Sequence, residues 1–352
     1  MTFPLNKLLR PHIATLTPYS SARDEYSGKE GIFLDANENP IGSITDKNFN
    51  RYPDPYQLTL KQKIADIKSV PAERIFLGNG SDEAIDLLFR AFCNPGKDNV
   101  IILPPTYGMY EVSAEINNIG IERVNLTEDF HLKPEKILKA VDDFTKIIFI
   151  CSPNNPSGNQ MKKEAIIQVL EGFEGLVVVD EAYIDFSKEE SFTQLLDEHH
   201  NLLVMQTFSK AWGLASLRLG MAFASKEIIQ VLNRIKPPYN ISGLTQDTVL
   251  AAIGQVDKMK AMVKEILEER DFLENSLKNF PLVEHVYPSD ANFLLVKVGG
   301  ARNIYKYLIE EKIIVRDRSK VVLCEDCLRI TVGMRSENQA LLEALDKYQD
   351  IR

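Results

Sequence analysis

The sequence predicts an α/β protein: a large domain on a mostly parallel central sheet flanked by helices, then a smaller α+β domain. Three observations carry this. Short apolar runs rich in β-branched residues alternate with amphipathic stretches. The runs are continuous rather than alternating, as expected of strands covered on both faces by helices. From about residue 250 the pattern turns helical and charged, and a second set of short strands follows. The predicted boundaries are 1–45 for an N-terminal arm, 46–250 for the large domain and 251–352 for the small one.

In chain order, the Pro-, Asn- and Ser-rich first 45 residues predict an extended arm, packing with the small domain and a partner subunit. Ala84, Ile85, Leu87, Leu88, Ala91 and Phe92 recur at helical spacing, as do Ile166, Val169 and Leu170. Val100–Leu103, Lys146–Cys151, Leu176–Asp180 and Leu202–Met205 read as buried strands. Lys258–Arg270 carries no Gly or Pro and predicts a long helix over about 250–280, leading into the small domain. There Asn292–Val298, Ile313–Val315 and Cys327–Val332 read as strands.

Composition narrows the function classes. With 44% hydrophobic and 26% charged residues among 352, the chain is of ordinary globular make-up. A net charge of -9 argues against a nucleic-acid surface. No apolar run reaches the length of a membrane span, and Met1–Lys7 lacks a signal-peptide pattern. Four scattered cysteines point to a reducing, cytoplasmic setting. Cys324-Glu-Asp-Cys327 has no second ligand pair nearby, so no metal is expected.

The chemistry concentrates where strands end, the place where ligands collect in parallel sheets. Lys210 lies between Thr207, Ser209 and Arg218 in a stretch otherwise apolar and small. Desolvation and a nearby cation both disfavour a charged lysine, and a neutral amine can condense with an aldehyde. The hydroxyls and the guanidinium fork suit a phosphate beside it. Gly78-Asn-Gly80-Ser81-Asp82-Glu83 opens a helix, whose free N–H groups also suit phosphate; alternatively Asp82 and Glu83 are first-turn residues favoured by the helix dipole. Cys151-Ser-Pro-Asn-Asn155-Pro-Ser-Gly158 aims a rigidly held amide from Asn155. Asp180 ends a run of valines, and a buried carboxylate there calls for a partner, which a protonated pyridine would supply; Tyr183 follows three residues later. A phosphorylated aldehyde that bonds lysine and carries a pyridine nitrogen is pyridoxal 5'-phosphate.

In this order the motifs closely resemble the fold-type-I pyridoxal-phosphate-dependent aminotransferases, over nearly the whole chain. Flanking pieces resemble the branch that handles histidinol phosphate: Thr17-Pro-Tyr19, Asp35–Pro40, Arg51–Pro55, Pro104–Tyr110, Lys236–Asn240, Val315–Asp317 and Leu328–Gly333. Trp212 and Ser216 depart from the usual pattern after the lysine. The resemblance implies the type I transferase fold and transfer of an amino group between L-histidinol phosphate and 2-oxoglutarate, in histidine biosynthesis. It implies that Lys210 bonds the cofactor and moves the substrate proton. Asp180 would face the ring nitrogen, Tyr183 and Asn155 the 3'-oxygen, and Tyr107 the ring face. Ser81, Asp82, Thr207, Ser209 and Arg218 would cup the phosphate, with Tyr52 reaching that of a neighbouring subunit in a homodimer. Arg329 would hold the substrate's distal anion, helped by Arg316 and Tyr19, and Asn155 would also contact the substrate. Alternatives within the same chemistry are an aromatic or broad-specificity aminotransferase and a decarboxylase of a phosphorylated amino acid.

Overall fold

The computed structural model describes residues 4–19 and 31–351; part of the expected arm thus lies outside the described residues. Seven strands form the main sheet: β1 (Ile75–Asn79), β2 (Asn99–Ile102), β3 (Gly120–Arg123), β4 (Thr145–Cys151), β5 (Leu176–Asp180), β6 (Leu202–Thr207) and β7 (Leu219–Phe223). Their order is β1-β7-β6-β5-β4-β2-β3. All neighbours are parallel except β7, which runs antiparallel to both β1 and β6.

The predicted burial on both faces holds. Alternate residues of the central strands enter different cores: Ile148, Ile150, Val177, Val179 and Val204 pack in one, Ile147, Phe149, Leu176, Val178 and Leu203 in the other. Helix Gly80–Phe92 closes the second core with Ala84, Ile85, Leu88 and Phe92. Residues 4–19 carry two short helical turns, Leu5–Leu8 and Pro11–Ala14, and Leu9 and Ile13 bury in this same core of the large domain. The segment 31–57 contains neither helix nor strand.

The expected long helix is two. Gly254 ends Gly243–Ile253, and Val256–Leu277 begins two residues later. The small domain is an antiparallel sheet of order β10-β11-β9-β8, made by β8 (Val283–Val286), β9 (Phe293–Val298), β10 (Arg316–Asp317) and β11 (Cys327–Thr331). Helices Ala301–Glu310 and Arg335–Ile351 accompany it around a third core. Ile313–Val315, expected as a strand, is not one. Ile313 and Val315 pack on that core, and the ladder begins at Arg316, where β11 supplies the pairing partners.

Candidate active site

The carboxyl ends of β1, β4, β5 and β6 open into one recess lined by Gly80, Ser81, Asp82, Tyr107, Asn155, Asp180, Tyr183, Thr207, Ser209, Lys210 and Arg218. It shares Tyr107, Asn155, Tyr183 and Lys210 with a cleft of about 890 Å³ whose far wall carries Arg316, Arg318, Lys320 and Arg329 of the small domain. The structure thus brings together every sequence-predicted site residue except two. Tyr19 lies in a separate groove with Tyr56, Arg234 and Lys236. Tyr52 is half exposed and stacks on Tyr239 at 4.5 Å, outside its own chain's cleft.

Lys210 follows β6 and extends into the cleft, with Nζ 5.4 Å from the centroid of the Tyr183 ring. Its pKa is lowered, first by the desolvation of its surroundings, then by Arg329; Asp180 opposes this and Arg218 adds to it. Asp180, the last residue of β5, is buried. Its Oδ2 accepts from the Tyr110 hydroxyl at 2.7 Å and its Oδ1 from the Ala182 N–H at 3.1 Å. Burial raises its pKa to about 6, against the lowering effect of those two bonds. No cation among the described residues hydrogen-bonds this carboxylate. Tyr110 itself is fully buried, stacked on Phe149 at 4.7 Å and edge-on to Tyr107. The sequence motifs assign no role to Tyr110 or Arg318; their signals are a second tyrosine three residues after Tyr107, and an arginine two residues after Arg316.

The phosphate-sized end is built by close backbone approach. Gly80 has φ +72°, a backbone conformation that disfavours any side chain, and donates its N–H to the Arg218 carbonyl at 2.7 Å. At Gly220 a Cβ would fall 2.3 Å from the Gly80 carbonyl carbon. Arg218, itself at φ +52°, reaches Asp82 Oδ2 at 3.4 Å and the Ala215 carbonyl at 3.5 Å, long contacts that an anion can displace. Thr207 Oγ1 accepts from the Ser209 N–H and donates to the Leu219 carbonyl, fixing the turn. The two first-turn acids divide their work. Glu83 takes the helix-capping role, its Oε2 accepting from the Asn79 N–H at 2.5 Å. Asp82 faces the recess and accepts from the Tyr107 hydroxyl at 3.1 Å.

The far wall is tied to the near one. Arg329 Nη1 donates to Asn155 Oδ1 at 2.5 Å and the guanidinium lies over the Phe293 ring. Tyr183 packs edge-on against Phe293 at 5.1 Å. Cys324 and Cys327, both buried, have thiols raised by burial to about 12. Among the described residues no group of three or more His, Cys, Asp or Glu could hold a metal ion. No helix among them is long and apolar enough to cross a membrane.

This geometry defines a class: a lysine-centred pyridoxal-phosphate site. An open arginine fork beside a helix start fits the phosphate, a buried carboxylate without a cation fits the ring nitrogen, and a lysine of lowered pKa stands between them. The family model "Aminotransferase class I and II" matches residues 29–345, and the chain belongs to that family. It is 57% identical to the histidinol-phosphate aminotransferase of Cytophaga hutchinsonii over 99% of this chain and 100% of that protein. It is 54% identical to that of Bacteroides thetaiotaomicron over 98% of this chain and 99% of the relative. The solved histidinol-phosphate aminotransferase of Sinorhizobium meliloti, in complex with pyridoxal-5'-phosphate, shares the fold with a TM-score of 0.80 at 22% identity, covering 90% of each chain.

Proposed function

We propose that the protein transfers an amino group between L-histidinol phosphate and 2-oxoglutarate, giving imidazole-acetol phosphate and glutamate, in L-histidine biosynthesis. The observation that carries this is one cleft with a neutral-tending lysine at its centre and an anion site at either end. The relatives with that printed name, over half identical along nearly their full length, support the substrate assignment.

Each residue then has a task. Ser81 and Asp82 through their backbone, with Thr207, Ser209 and Arg218, hold the cofactor phosphate. Asp180 would hold the ring nitrogen's proton, Tyr107 would lie against the ring, and Tyr183 and Asn155 would serve the 3'-oxygen. The bound cofactor supplies an electron sink for the carbon that loses its proton. Lys210 Nζ takes the proton from the substrate Cα, which requires the neutral amine that burial and Arg329 favour. Arg329 and Arg316 hold the distal group of either substrate, since a guanidinium fork accepts phosphate and carboxylate alike. Tyr19 and Tyr52, exposed and outside the cleft of their own chain, belong to the same scheme in a cytoplasmic homodimer, Tyr52 reaching the neighbour's cofactor phosphate.

The test is a substrate screen of purified protein supplied with pyridoxal 5'-phosphate. Histidinol phosphate with 2-oxoglutarate is expected to yield glutamate faster than phenylalanine or tyrosine does, with no carbon dioxide released. A strong preference for an aromatic amino acid removes the substrate assignment, and release of carbon dioxide without glutamate removes transamination. Lys210→Ala is expected to stop turnover and to lose the borohydride-fixed mass adduct on that side chain; near-normal rates in this variant overturn the assignment.

A further inference from the structure

The β10–β11 pair carries a charge arrangement that costs the fold stability. Arg316 stands directly opposite Arg329 in the antiparallel register, and like charges at opposed positions destabilise a pair. Strand alternation sends residue 318 to the same side as Arg316. Asp317, between them, turns back on the Ser319 N–H at 2.8 Å. Arg318 accordingly lines the cleft with Arg316, Lys320 and Arg329. No carboxylate among the described residues forms an ion pair with any of the three arginines. The acid that lines the cleft, Glu111 on the large-domain side, is paired with Arg123. Arg318 Nε is buried without a hydrogen-bond partner. Burial and the two other arginines push the Arg318 pKa down to about 10.

We propose that Arg318 is a third, specificity-determining arginine, which reads the charge of the substrate's distal group and favours a phosphate dianion over a carboxylate. This rests on the histidinol-phosphate reading above. A carboxylate offers one charge and two oxygens, which one fork satisfies. A phosphate monoester offers about -1.5 to -2 charges near pH 7 and three acceptor oxygens, enough for a further guanidinium. With a carboxylate in place, Arg318 stays uncompensated; with a phosphate, its free donors gain a partner. Arg318 therefore acts on the phosphate half-reaction and not equally on the glutamate one, which lets one pocket serve two substrates without treating them alike.

The experiment compares wild-type, R318Q and R318K holoenzyme in the two half-reactions separately. R318Q is expected to lower kcat/KM for histidinol phosphate about ten- to a hundredfold more than for glutamate, chiefly through KM, as loss of one charged hydrogen bond implies. R318K, which keeps the charge, is expected to recover most of the selectivity. The ratio of the two kcat/KM values from one preparation does not depend on the folded fraction, so a folding defect cannot imitate the result. Inorganic phosphate serves as an independent probe. Its inhibition of the wild type is expected to tighten as pH rises and the dianion forms, and R318Q is expected to weaken and flatten that dependence. Equal losses in both half-reactions, or unchanged phosphate inhibition in R318Q, overturn the proposal. If the wild type ignores histidinol phosphate, the substrate reading fails, while the phosphate-inhibition comparison still decides the role of Arg318.

Discussion

Removing the Tyr110 hydroxyl isolates what holds Asp180 in its charged form. Tyr110→Phe keeps the ring stacked on Phe149 and deletes only the donor 2.7 Å from Asp180 Oδ2. A hydrogen bond to a charged group is worth about 1.5–3 kcal/mol, one to a neutral group about 0.5–1.5 kcal/mol. The loss should therefore depend on whether Asp180 is ionised. Its folded pKa of about 6 stands above its ordinary 3.8, so folding takes up a proton between those values. Stability conferred by this site is fully present below pH 3.8 and declines as pH rises through about 6. The full difference amounts to about 3 kcal/mol, at about 1.4 kcal/mol per unit. The Tyr110 bond lowers the folded pKa, so its deletion raises that pKa and deepens the decline. Glu181, raised by burial to about 7, contributes in the same direction in both proteins and cancels on subtraction. Urea unfolding of cofactor-free protein between pH 4.5 and 8 measures the difference. Tyr110→Phe is expected to lose about 1.5–3 kcal/mol at pH 8 and about 1 kcal/mol less at pH 4.5. A loss that stays constant with pH, or grows on acidification, refutes the reasoning.

Two further substitutions probe the phosphate end. Arg218→Gln removes a fork held by two long contacts, 3.4 Å to Asp82 and 3.5 Å to the Ala215 carbonyl, and should weaken pyridoxal-phosphate binding at least about tenfold without abolishing it; an unchanged dissociation constant, followed by cofactor fluorescence, contradicts the assigned role. Gly220→Ala places a Cβ 2.3 Å from the Gly80 carbonyl carbon and 2.4 Å from the Ser81 nitrogen, both backbone. It should cost about 1–3 kcal/mol or more and shift the start of the helix that receives the phosphate. Thermal unfolding reads the first effect and cofactor retention the second, and a neutral result in both means that the close approach is not needed.

The central strands of the main sheet were legible because burial on both faces gave them continuous apolar runs. β4, β5 and β6 are continuous apolar runs because each pleat faces a core. β7 was not legible, since Leu-Gly-Met-Ala-Phe has no β-branched residue and its reversed direction follows from the return of the chain after Arg218. At the edge of the small sheet hydrophobicity misled. Ile313 and Val315 look like a strand but are packing residues, while two charged residues make the ladder. The same difference separates the site residues. Lys210, Asp180 and Arg218 announce themselves by being out of place in apolar surroundings. Tyr110 does not, because a buried tyrosine is ordinary until its hydroxyl is found on Asp180. Arg318 looks like a solvated edge residue until its unpartnered Nε is seen inside the cleft.

The two anion sites also act on the lysine between them. Arg329 from the far wall and Arg218 from the near one both lower the pKa of Lys210, while Asp180 and Asp82 raise it. An anion beside either arginine offsets that arginine's field, since opposite charges favour the ammonium form. With the far site empty, Arg329 acts on the amine unopposed and favours its neutral form, the form that can condense with an aldehyde. An anion at Arg329 makes the amine more basic, while burial and Arg218 still favour its neutral form. Charge at either end thus bears on the proton affinity of Nζ. The required ingredients are the two arginines on opposite walls, and neither wall alone would give the lysine both conditions.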